Sequence, residues 1–484
     1  MTTWTQIACT LFLVAVMAPA SVGKVYVRWT QTPVPPATVL GVSDLVILWD
    51  DEAKGPVEEA KKQGYHVFLE VKLEEGPAAA EAATTAGIAG IILKSEASEA
   101  HLVEERARQL RSTYPKLKIL VLDAGGRQPE LRGWLVFKKD GILQVSSPTS
   151  QPWLDANLAM IRHERAFQNE QAPLYTFSWD LSDEVVKEQG PSAADYALAV
   201  AEAGAFHADL LLELHQRQQK GLANGDKDTL GSWNEVKRTI EFYDRGNPGA
   251  KEAAVRVGVL TNDYDASYEA INLMARHNIP FRVLHSADVK PRDLEGFDVV
   301  VAFAPPSEDL TAGIREFAER GGVAVLVNVP GNYPWDSSAL AKTSGHSVSY
   351  TMGNGRVIEL GEAVTDPETF ARDVRRLMVK ERIPVSLWNS LTTLVTAYPG
   401  EKPGEIIVEL VNYEEEPAQV QVQVRGKFST VTAESAERGC CQTLKAAQVD
   451  GFTEFVVPDV FIGARVHLQG AAGGSALAEA TPKP

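Results

Sequence analysis

Short apolar runs alternate with amphipathic segments along the first half of the chain. The apolar runs predict eight strands, which begin at Lys24, Leu45, His66, Ile88, Lys118, Gly133, Leu174 and Ala208. Between several of them apolar residues recur at a spacing of about 3.6 residues, which predicts helices over 56–64, 99–114, 153–168 and 193–205. Strands that are apolar throughout are typical of a parallel sheet covered on both faces. The pattern therefore predicts a (β/α)8 barrel over residues 24–245.

An open doubly wound sheet is the alternative to the barrel. Such a sheet usually carries a glycine-rich turn directly after a strand, where the next helix begins and can bind phosphate. Here Gly87 and Gly90 precede a predicted strand instead of following one. The sequence therefore favours the barrel.

A second α/β segment is predicted over residues 254–382. Its pattern reads strand, helix, strand, strand, helix, strand, with strands in RVGVLTN, FRVLHS, GFDVVVAFAPP and GGVAVLVNVP. This order resembles the flavodoxin-like class I glutamine amidotransferases, which carry a cysteine nucleophile in a turn after a strand. The corresponding turn here reads Val327-Asn328-Val329. We therefore predict an amidotransferase-like domain without a nucleophile, whose role is packing or oligomer contact.

The third segment, residues 383–469, alternates apolar and polar residues, as in GEIIVELVNYEEEPAQVQVQVRG. A period of two predicts strands with one buried face, here a small antiparallel β sandwich. Cys440 and Cys441 fall on one of these strands. Because adjacent cysteines are too close for an ordinary disulfide, we expect two small buried side chains. Residues 470–484, rich in alanine, glycine and proline, are predicted to be a disordered tail.

The chain begins with an apolar segment, Ile7 to Ala20, which is too short for a comfortable membrane span. Ala18-Pro19-Ala20 offers the small-x-small pattern of a signal peptidase site. We therefore predict that residues 1–20 are a signal peptide and that the protein is secreted or periplasmic, without stable membrane insertion after cleavage. No Lys or Arg precedes the apolar segment, so an uncleaved anchor is the alternative.

Charge narrows the range of partners. The chain carries 47 Lys and Arg against 64 Asp and Glu, a net charge of −17, which would repel nucleic acid and anionic lipid. No G-x-S-x-G elbow, H-E-x-x-H helix or Walker loop occurs, and the 9 histidines are scattered. We therefore expect a neutral or cationic partner, no nucleic acid, and neither a metal nor a cofactor.

The residues that end the predicted strands are the candidate site, because active sites of such barrels lie at the carboxyl ends of the strands. Tryptophans and carboxylates accumulate there, together with one histidine: Trp29, Trp49, Asp50, Glu70, Glu96, Trp179, Asp180, Glu213 and His215. Indole rings stack on the flat faces of sugars, and two carboxyl groups flanking a glycosidic bond supply acid and nucleophile or base. The rim composition therefore predicts a carbohydrate site.

Each of these residues also has a structural interpretation. Asp50 and Asp180 precede turns or helices, where N-capping would account for them. A tryptophan at a strand end commonly covers the core between barrel and helices. Glu213 and His215 share parity on the last strand, so they would point inward together, either as a structural pair or as a catalytic one.

The order of the three segments resembles the family 42 glycoside hydrolases, which are β-galactosidases with an amidotransferase-like trimerisation domain. RVGVLTN, GFDVVVAFAPP and ERGGVAVLV are similar to the middle domain of that family, and ELVNY with FTEFVVP to its terminal sandwich. The resemblance implies Glu96 as proton donor, Asp180 as nucleophile or base, and a homo-oligomer formed through the middle domain. Ser95 stands where the family has Asn, and Asp180 where it has Glu.

The expected function is that of a secreted glycoside-hydrolase-like protein that hydrolyses or binds a neutral glycan. Glu96 and Asp180 would be the catalytic pair, and the remaining rim residues would contact the substrate: Trp29, Trp49, Asp50, Glu70, Trp179, Glu213 and His215. The alternative is a catalytically inactive relative, which either binds carbohydrate or serves as an oligomeric assembly protein.

Overall fold

The structure is a computed structural model of the chain. It describes residues 23–50, 52–94, 100–122, 138–139, 142–143, 157–167, 172–176, 190–245, 252–336, 341–414 and 416–470. These residues form a closed barrel, a mixed seven-stranded sheet and a pair of antiparallel sheets. The predicted signal peptide (1–20) and the predicted disordered tail (470–484) lie outside the described residues, apart from Gly470.

Seven parallel strands close the barrel: β1 Val25–Arg28, β2 Asp44–Leu48, β3 His66–Lys72, β4 Gly90–Lys94, β5 Lys118–Leu122, β8 Leu174–Tyr175 and β9 Asp209–Glu213. Two short strands, β6 Lys138–Lys139 and β7 Ile142–Leu143, pair only with each other. The described helices of this segment are α1 Ala37–Leu40, α2 Lys54–Lys62, α3 Gly76–Ala86, α4 Ala100–Thr113, α5 Leu158–Phe167, α6 Ala193–Ala205, α7 Gln216–Asn224 and α8 Lys227–Arg245. The barrel expected from the sequence is thus present.

The count of eight barrel strands was wrong. β5 pairs directly with β8 through Leu122 and Leu174, which leaves no place between them for the strand predicted from Gly133. The period of an apolar run predicts that it is extended, but membership of a sheet depends on which backbones pair. Residues 123–137, which hold most of that run, lie outside the described residues.

The interior of the barrel is filled in layers, because alternate residues of each strand point inward. The central layer is apolar and consists of Tyr26, Val46, Phe68, Ile92, Leu120 and Leu211. Gly90 makes room for it, since a Cβ there would lie 2.6 Å from Cε1 of Phe68. Charged residues follow the same alternation toward each end of the barrel. At the amino ends of the strands lie Lys24, Asp44, Lys118 and Asp209.

Side-chain caps fix where helices begin. Ser192 Oγ accepts the N–H of Asp195 at 3.2 Å, and the Asp195 carboxylate accepts the N–H of Ser192 at 2.7 Å. This reciprocal capping box satisfies backbone donors at the start of α6 that have no partner within the helix.

The middle segment forms a seven-stranded sheet in the order β11, β10, β12, β13, β16, β15, β14. Its strands are β10 Val257–Thr261, β11 Phe281–His285, β12 Val299–Ala302, β13 Val323–Val327, β14 Ala341–Ser344, β15 Ser347–Met352 and β16 Gly355–Leu360. The helices are α9 Tyr264–Arg276, α10 Glu308–Glu319 and α11 Pro367–Leu377. Five strands are parallel, and the hairpin of β14 and β15 adds the antiparallel edge. Its assignment as a flavodoxin-like, amidotransferase-like domain stays a prediction.

Asn328 occupies the turn after β13, where an amidotransferase would hold its cysteine. Its φ of 50° lies in the left-handed region, which asparagine tolerates better than most residues other than glycine. An amide side chain is not a nucleophile, so this turn cannot form a covalent intermediate.

The predicted antiparallel β structure of the third segment is present as two sheets. One has the order β17, β20, β24, β23 and the other β18, β19, β25, β21, β22. The strands are β17 Val385–Leu387, β18 Thr393–Pro399, β19 Glu405–Asn412, β20 Ala418–Arg425, β21 Phe428–Ser435, β22 Gly439–Thr443, β23 Ala446–Val449, β24 Phe452–Val460 and β25 Gly463–Gly470. Both sheets contribute to one apolar core that includes Val408, Val422 and Val466.

The expectation for the two cysteines was wrong. Cys440 and Cys441 lie on β22, which is exposed along its whole length, so their side chains are not buried. β22 is the edge strand of its sheet, so its pattern of residue types did not report burial. Glu434 is close to both sulfurs.

No described helix is both long enough and apolar enough to cross a membrane.

Candidate functional site

Four charged side chains meet at the carboxyl ends of the barrel strands. Arg28 ends β1, Glu70 lies in β3, Lys94 ends β4 and Glu213 ends β9. Each has the parity of the apolar residue two positions earlier, so all four continue the inward-facing columns of the barrel. We call these four residues the mouth cluster.

Arg28 and Glu70 form the buried base of the mouth cluster. Arg28 Nε donates to Glu70 Oε2 at 2.7 Å, and Nη2 donates to Oε1 at 2.8 Å. Both residues are only 6% exposed. A bidentate pair of this kind satisfies both carboxylate oxygens, which offsets the cost of removing the two charges from water. Both carboxylate oxygens of Glu70 are therefore engaged by Arg28.

Glu213 and Lys94 form the open side of the mouth cluster. Arg28 Nη1 donates to Glu213 Oε2, while the Glu213 side chain is 49% exposed. Lys94 Nζ lies 4.0 Å from Glu70 Oε1 and its side chain is equally exposed. Leu48, at the end of β2, is also exposed. The mouth therefore presents one carboxylate, one ammonium group and an apolar surface to solvent.

The two described tryptophans of the rim have different environments. Trp29 is buried in the barrel core, and its indole N–H donates to the carbonyl of Gln31 at 2.6 Å. Trp49 is partly buried against the same core, and its backbone N–H donates to the carbonyl of Glu70 at 2.9 Å. Trp49 is thus the described indole with solvent access at the rim, while the Trp29 ring covers the core.

Asp50 and His215 act locally on the backbone. Asp50 is exposed, and its Oδ1 accepts the N–H of Glu52 at 2.9 Å, which stabilises the turn after β2. His215 is the N-cap of α7, where its Nδ1 accepts the N–H of Arg217 at 3.3 Å. The backbone N–H of His215 donates to Tyr196 Oη at 2.9 Å. His215 is therefore an N-cap, a role that the sequence did not assign to it, whereas Asp50, for which capping was expected, stabilises a turn instead.

The predicted catalytic pair lies outside the described residues. Glu96 belongs to residues 95–99, and Asp180 and Trp179 belong to residues 177–189. In sequence Glu96 closely follows β4, and Asp180 follows β8 after a few residues. Their roles stay predictions.

Arg28 and Lys94 are the two residues of the mouth cluster that the sequence did not predict as part of the site. The predicted site held acidic and aromatic side chains with one histidine, and it did not include the arginine just before Trp29. Its parity was the available signal, because Arg28 lies two residues after Tyr26 on the same face of β1.

Comparison with solved structures shows that the chain shares its fold with an α-L-fucosidase and with a β-galactosidase. An α-L-fucosidase, isoenzyme 2 from Paenibacillus thiaminolyticus, superposes with a TM-score of 0.61 at 10% identity, covering 92% of this chain and 99% of the fucosidase. A β-galactosidase from Rahnella sp. R3 superposes with a TM-score of 0.53 at 10% identity, covering 89% and 94%. No model of a known protein family matches the chain, and no curated protein sequence does either.

Proposed function

We propose that this protein acts on a neutral glycan at the mouth of its barrel. The observation that carries the proposal is that nearly the whole chain shares its fold with the fucosidase, while charged and aromatic side chains collect at the carboxyl ends of the barrel strands. Barrels of this kind place their chemistry at that end. The net charge of −17 disfavours anionic glycans, which makes a neutral one the better ligand.

In the hydrolytic form of the proposal, Glu96 protonates the leaving oxygen of the glycosidic bond. As the bond to the leaving oxygen breaks, Asp180 either attacks the anomeric carbon or activates a water for that attack. In the first case water, deprotonated by Glu96, then hydrolyses the glycosyl ester on Asp180 and releases the sugar. Carboxyl groups about 5–5.5 Å apart would retain the anomeric configuration, and groups about 6.5–9.5 Å apart would invert it. Glu213, Lys94 and Trp49 would bind the sugar, with Arg28 and Glu70 holding Glu213 in place.

Binding without hydrolysis is the second candidate function. It is favoured by one observation: the two carboxylates of the mouth cluster, Glu70 and Glu213, both accept hydrogen bonds from Arg28. Both carboxylates are thus already engaged with a guanidinium group, which suits a binding surface. Glycan binding by Glu213 and Trp49 would persist without any turnover.

A screen of chromogenic glycosides separates these two functions. We expect turnover by the wild type and a loss of about 10²-fold or more in kcat for Glu96→Gln and for Asp180→Asn. Asp228→Asn, an exposed substitution in the first turn of α8, is the control and should keep full activity. Equal rates in all four proteins would contradict the assigned pair.

If the screen finds no turnover, a glycan array tests the second function. Binding by the wild type that is lost in Trp49→Ala would support a carbohydrate-binding protein. Neither turnover nor binding would favour an oligomeric assembly protein.

Two further parts of the proposal concern the whole chain. We expect export with cleavage after residue 20, which mass spectrometry of the mature amino terminus would check. We also expect a homo-oligomer formed through the middle sheet, and sedimentation of a monomer at micromolar concentration would contradict it.

A further inference from the structure

A cleft of about 290 Å³ lies between α5 of the barrel and β11 of the middle sheet. Three arginines line it, Arg162 and Arg165 from α5 and Arg282 from β11. We call it the arginine cleft. It is separate from the mouth cluster, because it lies on the helical outside of the barrel and shares no residue with the mouth.

Arg162 is the residue that most needs a partner. Its Nη1 atom is buried and makes no hydrogen bond to any described residue. The guanidinium lies over the Phe281 ring, 4.4 Å from the centroid. Burial lowers the pKa of Arg162 to about 10, and the positive charge of Arg165 adds to this effect. A buried guanidinium nitrogen without an acceptor is costly, so an acceptor supplied from outside would be bound favourably.

The other two arginines share a single carboxylate. Glu252 Oε2 lies 3.3 Å from Arg282 Nη2, and Glu252 Oε1 lies 4.0 Å from Arg165 Nη1. Arg165 Nη2 also donates to the carbonyl of His207. The Nε of Arg282 is buried without a described acceptor. Because the Glu252 side chain is nearly half exposed, it compensates these charges only weakly.

The remaining acidic residues of the cleft are engaged elsewhere. Asp288 Oδ2 lies 2.7 Å from Nδ1 of His285. Asp293 Oδ2 accepts the backbone N–H of Lys290 at 2.8 Å. Three guanidinium groups therefore face the cleft, and the one carboxylate between them compensates their charge only weakly, within a protein that is strongly acidic overall.

We propose that the arginine cleft binds a small organic molecule bearing an oxyanion, a carboxylate, sulfate or phosphate group. Planar guanidinium groups match the oxygens of such anions in paired hydrogen bonds. Apolar side chains that include Leu158, Ile161 and Val283 line the rest of the cleft, which suits a short carbon body attached to the anion. The volume is near the lower end for ligand sites, so the ligand is of metabolite size.

Because the cleft lies between the barrel and the middle sheet, a bound anion would contact both. Arg162 and Arg165 belong to the barrel, whereas Arg282 belongs to the middle sheet. An anion that bridges them would hold the two parts together and raise the stability of the folded protein by mass action. This proposal does not depend on whether the barrel hydrolyses glycans.

Thermal unfolding with sodium sulfate, phosphate and malonate tests the proposal. Sodium chloride would keep the ionic strength constant, since screening alone changes stability. We expect at least one of the three anions to raise Tm by several degrees in a saturable way. In Arg162→Met the rise should be lost, while Arg315→Met, an exposed change on α10, should keep it.

The unliganded proteins provide a second readout. Because Arg162 is desolvated without a described acceptor, Arg162→Met without added anion should be at least as stable as the wild type. A Tm lowered equally with and without anion would assign Arg162 a packing role on Phe281 and overturn the proposal.

Arg282→Gln serves if Arg162→Met does not fold. It should weaken binding of the stabilising anion at least tenfold by calorimetry. No saturable effect of any of the three anions on the wild type would also overturn the proposal.

Discussion

Arg28 holds both described carboxylates of the barrel mouth. Its Nε and Nη2 donate to the two carboxylate oxygens of Glu70, and its Nη1 donates to Glu213. Glu70 lies below the surface and Glu213 at it, so one arginine links a buried anion to an exposed one. Three donor positions in one plane are needed for this, which lysine could not provide.

Replacing Arg28 should leave Glu70 buried without its partner. We expect Arg28→Met to lower the free energy of unfolding by about 3–5 kcal/mol, measured by urea denaturation. The double variant Arg28→Met with Glu70→Leu should recover most of this loss, because it removes the orphaned charge as well. Arg376→Met, whose partner Asp373 is exposed, should change stability by less than about 0.5 kcal/mol. A small effect of Arg28→Met would show that the pair contributes little.

At the scale of the strand, the alternation of inward-facing and outward-facing residues that forms the apolar centre of the barrel also places charged residues at the amino ends of its strands. Lys24 Nζ lies 2.7 Å from Asp44 Oδ2, and the backbone N–H of Lys24 donates to Asp209 Oδ1 at 2.9 Å. Lys118 Nζ donates to Tyr26 Oη at 2.8 Å. Burial raises the pKa of Asp209 to about 7, although the nearby Lys118 and Lys24 charges oppose the shift.

The raised pKa of Asp209 predicts a dependence of stability on pH. The native state binds this proton more tightly than the unfolded chain, whose pKa is near 3.8. The stabilisation is therefore fully present below the unfolded pKa and is lost as pH rises toward the folded pKa. The side chain of Asp209→Asn stays neutral at every pH. Its free energy of unfolding should therefore exceed that of the wild type by an amount that grows between pH 4 and 7 to about 4 kcal/mol. Denaturation across this range should show no such gain for the exposed Asp373→Asn.

On the scale of the whole molecule, the sandwich is joined to the barrel through a buried glutamate. Glu202 on α6 accepts hydrogen bonds from the Asn157 backbone N–H at 3.0 Å, from Asn157 Nδ2 at 2.6 Å, and from the hydroxyl of Tyr413 in the sandwich. Tyr398, also of the sandwich, donates to the carbonyl of Ala205 at 2.9 Å and stacks on His207. Barrel and sandwich therefore share buried polar contacts, and we expect the two to unfold together.

Removing one hydroxyl from this interface should weaken the contact between barrel and sandwich. We expect Tyr413→Phe to cost about 1–3 kcal/mol, because Glu202 loses a donor while remaining buried. Tyr333→Phe removes a hydroxyl that donates to Val329 within the middle segment, and it should cost less. Calorimetry would report a lower Tm for Tyr413→Phe than for Tyr333→Phe. Equal Tm values would show that the interface bond adds no more than a local one.

Much of the architecture was predictable because it depends on local periods. Apolar strands separated by amphipathic helices gave the barrel, and strict alternation gave the antiparallel sheets. The number of barrel strands was not predictable, since the Gly133 segment has a strand-like pattern but the pairing of Leu122 with Leu174 excludes it. The prediction that Cys440 and Cys441 are buried was wrong for a similar reason, because the pattern of residues does not show which strand lies at the edge of a sheet.

The sequence by itself determined most of the elements and placed carboxylates and tryptophans near the ends of the barrel strands, since both follow from the spacing of residue types along the chain. Only the tertiary structure decided how those end residues are used. Arg28 lies 42 residues from Glu70 and 185 from Glu213, and the arginine cleft joins elements from two segments. Contacts at such separations depend on the closure of the barrel and on how the segments pack. A local pattern does not contain them, because the energy of a charge depends on its neighbours in space and on its access to water.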